Sequence, residues 1–190
     1  MENQAHLIST TRRFDGRVFR VRTDEVRLSD GTPAVLDVIE HPGSYGIIAL
    51  PSEREIVLVR QYRHAVGRVL WEIPAGTAEA GESILDGARR ELAEETGYRA
   101  GALRPLGSLY MTPGFCNEAM HFVHAWDLES GPQQLDEDEV IDTGVFSLEQ
   151  AEEMLMRGAV ADAKTAIALM WMRGPRSELV GGRADNSNTG

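Results

Sequence analysis

The sequence predicts an α+β layered fold. Three observations carry that prediction: strand-length runs of β-branched and aromatic residues bounded by turn residues, helical patterns set among them at irregular spacing, and no internal repeat. At 190 residues, with a 42% hydrophobic fraction, the chain can build one core domain with an appendage. Val18 to Leu28 is rich in Val and Phe, Ser29-Asp30-Gly31 signals a turn, and apolar residues resume from Ala34 to Ile39. Residues 17–40 thus predict a β-hairpin, in a small N-terminal β element (residues 1–43) that ends at His41-Pro42-Gly43.

The main domain, residues 44–174, opens with strands at 45–50 and 55–63, followed by a short strand at 69–73 and a loop at 76–81. Ser83 is a natural helix N-cap, with Asp86 three residues on as its reciprocal partner. Ile84, Ala88 and Leu92 recur every fourth residue and predict the buried stripe, and Gly97 terminates the helix. Strands at 103–110 and 120–126 then flank the loop Thr112-Pro113-Gly114-Phe115-Cys116. An acidic loop at 136–139 precedes a last strand at 140–146 and helices at 148–157 and 161–172, the second strongly amphipathic. Residues 175–190 have nothing to bury and predict disorder.

Composition removes several function classes. The formal net charge of −11 argues against nucleic acid or an anionic membrane as partner. No apolar window reaches 18 residues, so no membrane-spanning helix is expected. The N-terminus lacks the basic and apolar regions of a secretion signal, and the lone Cys116 fits a reducing compartment, so a cytoplasmic location is expected.

Glu91, Glu94 and Glu95 crowd the last turns of the first helix. Like charges at i,i+4 repel, and anions at a helix C-terminus oppose its dipole. A solvated acidic face is the ordinary reading of such a trio. The alternative is a bound divalent cation, because Glu91 and Glu95 share one face and hard carboxylate oxygens suit Mg²⁺ or Mn²⁺. Arg90 precedes Glu94 by four residues and is placed to hold it.

The spacing around these glutamates decides between the two readings. Gly76, Glu82, Arg90, Glu91, Leu92, Glu94, Glu95 and Gly97 fall at the strict positions of the Nudix box, and only Tyr98 departs, being aromatic where the box asks for an aliphatic. The wider chain resembles the ADP-ribose pyrophosphatase branch of the Nudix hydrolases. Glu72-Ile73-Pro74-Ala75-Gly76 opens the box as in that branch, and Pro113 stands sixteen residues beyond Gly97. The acidic loop 136–139 and the final Asp162-Ala-Lys-Thr helix are similar as well.

The resemblance implies an α/β/α sandwich with a mixed β-sheet and an N-terminal β subdomain that mediates a homodimer. It implies Mg²⁺-dependent hydrolysis of ADP-ribose to AMP and ribose 5-phosphate, with Mn²⁺ as the other candidate cation. Metal ligands would be Glu91, Glu95, the carbonyl of Ala75 and, from the late loop, Glu139. Glu137 would be the general base, with Glu94 beside it in the catalytic set; the spacing leaves open which of Glu137 and Glu139 faces the water. Arg63, Thr77, Thr112 and Glu118 would contact the nucleoside diphosphate sugar.

Other tempting residues have plainer readings. His121 and His124 alternate badly for a shared metal face, Cys116 has no evident His partner, and the methionines of the last helices are packing residues. Two rivals to the ADP-ribose reading stay open. One is hydrolysis of GDP-mannose or UDP-glucose. The other is a non-catalytic ADP-ribose sensor, which the intact set of box glutamates disfavours.

Overall fold

The computed structural model describes residues 4–135 and 139–173. The N-terminal element is a three-stranded antiparallel meander of β1 (His6–Asp15), β2 (Arg20–Arg27) and β3 (Pro33–Glu40). The sequence hairpin is therefore one strand short. β1 gives no sequence signal because it is exposed along its whole length, so burial imposes no alternation of apolar and polar residues on it. Cross-strand polar pairs hold it instead: Arg12 with Glu40, and Arg13 Nε with Thr23 Oγ1 at 2.9 Å.

The body is built on β4 (Ser44–Ala49), which is buried at every residue. β4 pairs in parallel with β9 (Ala119–Ser130) and antiparallel with β7 (Ala75–Thr77), while β8 (Tyr98–Tyr110) closes the far side of β9. This mixed sheet has the order β7-β4-β9-β8. A second sheet, β10-β5-β6, joins β10 (Ile141–Ser147), β5 (Glu55–Arg63) and β6 (Arg68–Glu72).

Alternation along β4 assigns its two faces. Tyr45, Ile47 and Ala49 pack with Ala88 and Leu92 of α1 (Ile84–Thr96). Ile48 packs with Ala151 of α2 (Leu148–Met156) and with Ala168, Leu169 and Met172 of α3 (Ala163–Arg173). Helices thus cover both faces, as a strand that is buried throughout requires. Phe122 on β9 meets Trp171 on α3 edge-on, with ring centroids 4.8 Å apart. Among the described residues no helix is long and apolar enough to cross a membrane.

Several sequence expectations shift. β7 lies in the stretch read as loop, because three residues are too few to display a period. β8 starts at Tyr98, directly after the helix; Gly101 and the bulge between Pro105 and Gly107 hid its first half. Ile84 is exposed at the first turn of α1, so the buried stripe starts at Ala88. α3 is less amphipathic than its sequence suggested, since it exposes Met170 and buries Thr165. Ser83 does cap α1, accepting from the Asp86 amide at 3.2 Å, but the reciprocal contact is Ser83 Oγ donating to the Asp86 carboxylate at 2.6 Å. Residues 175–190 lie outside the described residues.

Candidate active site

Gly97 ends α1 in the left-handed conformation, at φ 74°, and donates its amide to Ala93 O at 2.9 Å. The segment after β9 then ties itself to that helix end. Gln134 N donates to Glu94 O at 3.0 Å, and Gln133 Nε2 donates to Glu95 O at 2.6 Å. These bonds occupy helix carbonyls that lack partners within the helix. They also return the late acidic segment to the helix, so that Glu139 lines the same cavity as Glu91, Glu94 and Glu95.

That cavity encloses about 610 Å³. Ala75, Gly76 and Thr77 of β7 form one wall, α1 forms another, and Arg63 at the end of β5 enters from the side. Arg90 organises the carboxylates. Its Nη1 donates to Glu91 Oε1 and to Glu94 Oε2, both at 2.9 Å, and its Nε donates to Glu82 Oε1 at 3.0 Å. One guanidinium thus spreads three box glutamates in a fixed fan. The hydrogen bond from Arg90 to Glu82, opposed by burial and reinforced by the charge of Glu91, raises the guanidinium's affinity for its proton.

Glu95 is the buried member, 4% exposed. The Ala75 amide donates to its Oε2 at 2.9 Å. Burial, aided by the charges of Glu91 and Glu139 and opposed by that amide bond, pushes the Glu95 carboxyl up to about 8. Burial also raises Glu91, against the opposing charge of Arg90. Glu91 and Glu95 thus both resist ionising, and both line the same cavity.

The donor set fits a hard divalent ion. Among the described residues no three His, Cys, Asp or Glu side chains form a ready-made cage. Mg²⁺ does not require one, being held by one or two carboxylates together with substrate phosphates. Gly76 supplies a further sign of a built site. A Cβ there would lie 1.7 Å from Glu91 Cδ, so only glycine lets β7 approach the Glu91 carboxylate this closely.

The remaining sequence candidates divide. Arg63 and Thr77 line the cavity, although Arg63 is already clamped by Glu72 through Nε to Oε1 at 2.9 Å and Nη2 to Oε2 at 2.7 Å. Thr112 and Glu118 are not on the cavity wall. The Thr112 carbonyl accepts from the Phe115 and Cys116 amides, and Glu118 Oε1 accepts from Ser44 Oγ at 2.8 Å. Their loop is turned toward β3, where Ile39 N donates to Phe115 O at 2.7 Å. Glu137 lies outside the described residues. Arg17, on the β1–β2 turn, also lines the cavity; sequence reasoning missed it, because nothing local distinguishes a turn arginine that reaches a site from one that does not.

The family model described as NUDIX domain matches residues 40–170. The ADP-ribose pyrophosphatase of Bacillus subtilis (strain 168) is 36% identical over 162 residues, covering 84% of this chain and 88% of that protein. That of Mycobacterium tuberculosis is 34% identical over 165 residues, covering 85% and 80%. The methanol dehydrogenase activator of Bacillus methanolicus is 36% identical over 168 residues, covering 87% and 91%. A crystal structure of an ADP compounds hydrolase superposes with a TM-score of 0.79 at 24% identity, covering 90% of this chain and 92% of its own, a likeness of fold. The fold, the glutamate cavity and these matches together place the chain in the Nudix family.

Proposed function

We propose that this chain hydrolyses the pyrophosphate bond of ADP-ribose, giving AMP and ribose 5-phosphate. The observation that carries the reading is the convergence of Glu91, Glu95 and Glu139 with Arg63 in one cavity. Related proteins named ADP-ribose pyrophosphatase support the choice of substrate. Glu91 and Glu95, with the Ala75 carbonyl and Glu139, would hold the divalent cation, Mg²⁺ before Mn²⁺. When bound, such a cation supplies shielding of the phosphate charge and polarisation of its oxygens.

The chain's own residues do the rest. Arg63 meets the diphosphate and orients it, while Thr77 borders the same wall. Arg90 Nη1 bridges Glu91 and Glu94 and offsets their mutual repulsion. In the reaction, water's oxygen bonds to one phosphorus, the bridging P–O bond breaks, and the water's proton passes to a carboxylate. Glu137, two residues before Glu139, is the proposed acceptor, a role contributing roughly 10²–10⁴-fold.

The test is product identity. Purified protein with Mg²⁺ is incubated with ADP-ribose, GDP-mannose and UDP-glucose, and the products are separated by chromatography. AMP and ribose 5-phosphate should form fastest; cleavage of GDP-mannose with ADP-ribose left intact would overturn the substrate assignment.

The N-terminal sheet is proposed as a homodimer interface. Leu7 is 63% exposed and Val35 67%, and Ile8, Phe14 and Leu36 are exposed on the same meander, apolar area that a second copy would cover. Light scattering should return twice the chain mass; a monomer at micromolar concentration would rule the interface out.

A further inference from the structure

The Asp162-Ala-Lys-Thr start of α3 has no place in the chemistry above, yet it reaches the back of the site. Glu72 is 1% exposed and takes both donors of the Arg63 clamp. Lys164 Nζ donates to the same Glu72 Oε2, and to Asp162 Oδ1 at 3.0 Å. Asp162 Oδ1 in turn accepts the Thr165 amide at 3.0 Å, and buried Thr165 Oγ1 accepts the Ile73 amide at 2.8 Å. The first turn of α3 is thus fastened to the strand end that carries Glu72, three residues before Ala75, where the cavity wall begins.

We infer that Lys164 is a positioning residue for substrate phosphate, acting through Glu72 on Arg63. The inference rests on the reading of Arg63 as a phosphate contact and goes beyond it. A buried carboxylate needs compensation. Burial pushes Glu72 up, and the Arg63 bonds and the Lys164 charge outweigh burial, holding its carboxyl below the ordinary range. With Lys164 present, the cluster of Arg63, Lys164, Glu72 and Asp162 is neutral; without it, the cluster carries one net negative charge behind the phosphate site. Arg63 would then be the main compensation for Glu72, and an incoming diphosphate would have to compete for it. The bidentate clamp engages Nε and Nη2, which leaves the Nη1 end of the guanidinium for the cavity.

The experiment is ADP-ribose turnover with Mg²⁺ in wild type, Lys164→Met, Lys164→Arg, Arg63→Gln and the Arg63→Gln/Lys164→Met double variant, each checked for folding by thermal melt. Lys164→Met should raise KM about tenfold or more with kcat within about threefold, a coupling of the size contacting residues show. Lys164→Arg should restore KM. In the double variant KM should stay within about twofold of Arg63→Gln alone, because the effect runs through Arg63. If Lys164→Met is unfolded at the assay temperature, Lys164→Gln carries the same expectations. An unchanged KM in the Lys164 variant beside a raised KM in Arg63→Gln overturns the inference and leaves the active-site reading standing, as does full additivity in the double variant. An unchanged KM in Arg63→Gln removes the phosphate reading itself.

Discussion

Gly76→Ala is expected to reduce ADP-ribose turnover by about a hundredfold or more while leaving a folded protein. The argument is steric. A Cβ at this position would lie 1.7 Å from Glu91 Cδ and 2.0 and 2.1 Å from its carboxylate oxygens, so the Glu91 head group must leave its present place. Leaving breaks its bond to Arg90 Nη1, while Glu82 and Glu94 keep Arg90 in place, so Glu91 alone is displaced from the carboxylate cluster. A displacement of about 1 Å at a reacting centre costs on the order of 10²-fold. The fold should survive, because Gly76 is not a left-handed glycine and β7 is an outer strand of its sheet; overpacking costs roughly 1–3 kcal/mol. Steady-state kinetics with a thermal melt checks this. Wild-type turnover in a folded Gly76→Ala variant would mean that the working enzyme does not keep Glu91 against β7.

Gly76 also illustrates what was legible in the sequence. Its position in the box is plain from spacing, but its physical reason is a contact with a residue fifteen positions on. Within α1 the reading was direct, because helical geometry converts spacing into faces: Glu91 and Glu95 share a face, and Arg90 reaches Glu94. Across elements it was not. The pairing of Arg63 with Glu72 depends on how β5 registers against β6, and that of Glu72 with Lys164 spans 92 positions. β1 was invisible because exposed strands carry no burial pattern. The 111–118 loop bears a suggestive sequence, yet its backbone bonds to β3 hold Thr112 and Glu118 off the cavity wall.

Glu95→Gln is the second large effect, and it bears on the metal directly. Glutamine keeps an acceptor for the Ala75 amide, so geometry is preserved while the anionic ligand is lost. The loss of a charged metal anchor should lower turnover by roughly a hundredfold or more, the equivalent of several kcal/mol of transition-state stabilisation. Stability should move the other way. In the metal-free protein the folded-state Glu95 carboxyl titrates at about 8, above its unfolded value, so the folded state holds a proton that the unfolded chain has released. The contribution of Glu95 to stability is therefore fully present below the unfolded pKa and is lost as pH rises through about 8. In chelator the wild-type melting temperature should lose this contribution between about pH 5 and 8, and Glu95→Gln should flatten that dependence.

The most direct test of the whole account is AMP release from ADP-ribose as a function of Mg²⁺, in wild type and in Glu95→Gln. The account predicts no AMP from wild type in chelator, a saturable rise with added Mg²⁺, and in the variant a lower plateau reached only at higher Mg²⁺. AMP release that is indifferent to chelator, or a Glu95→Gln titration that overlays the wild type, would contradict it.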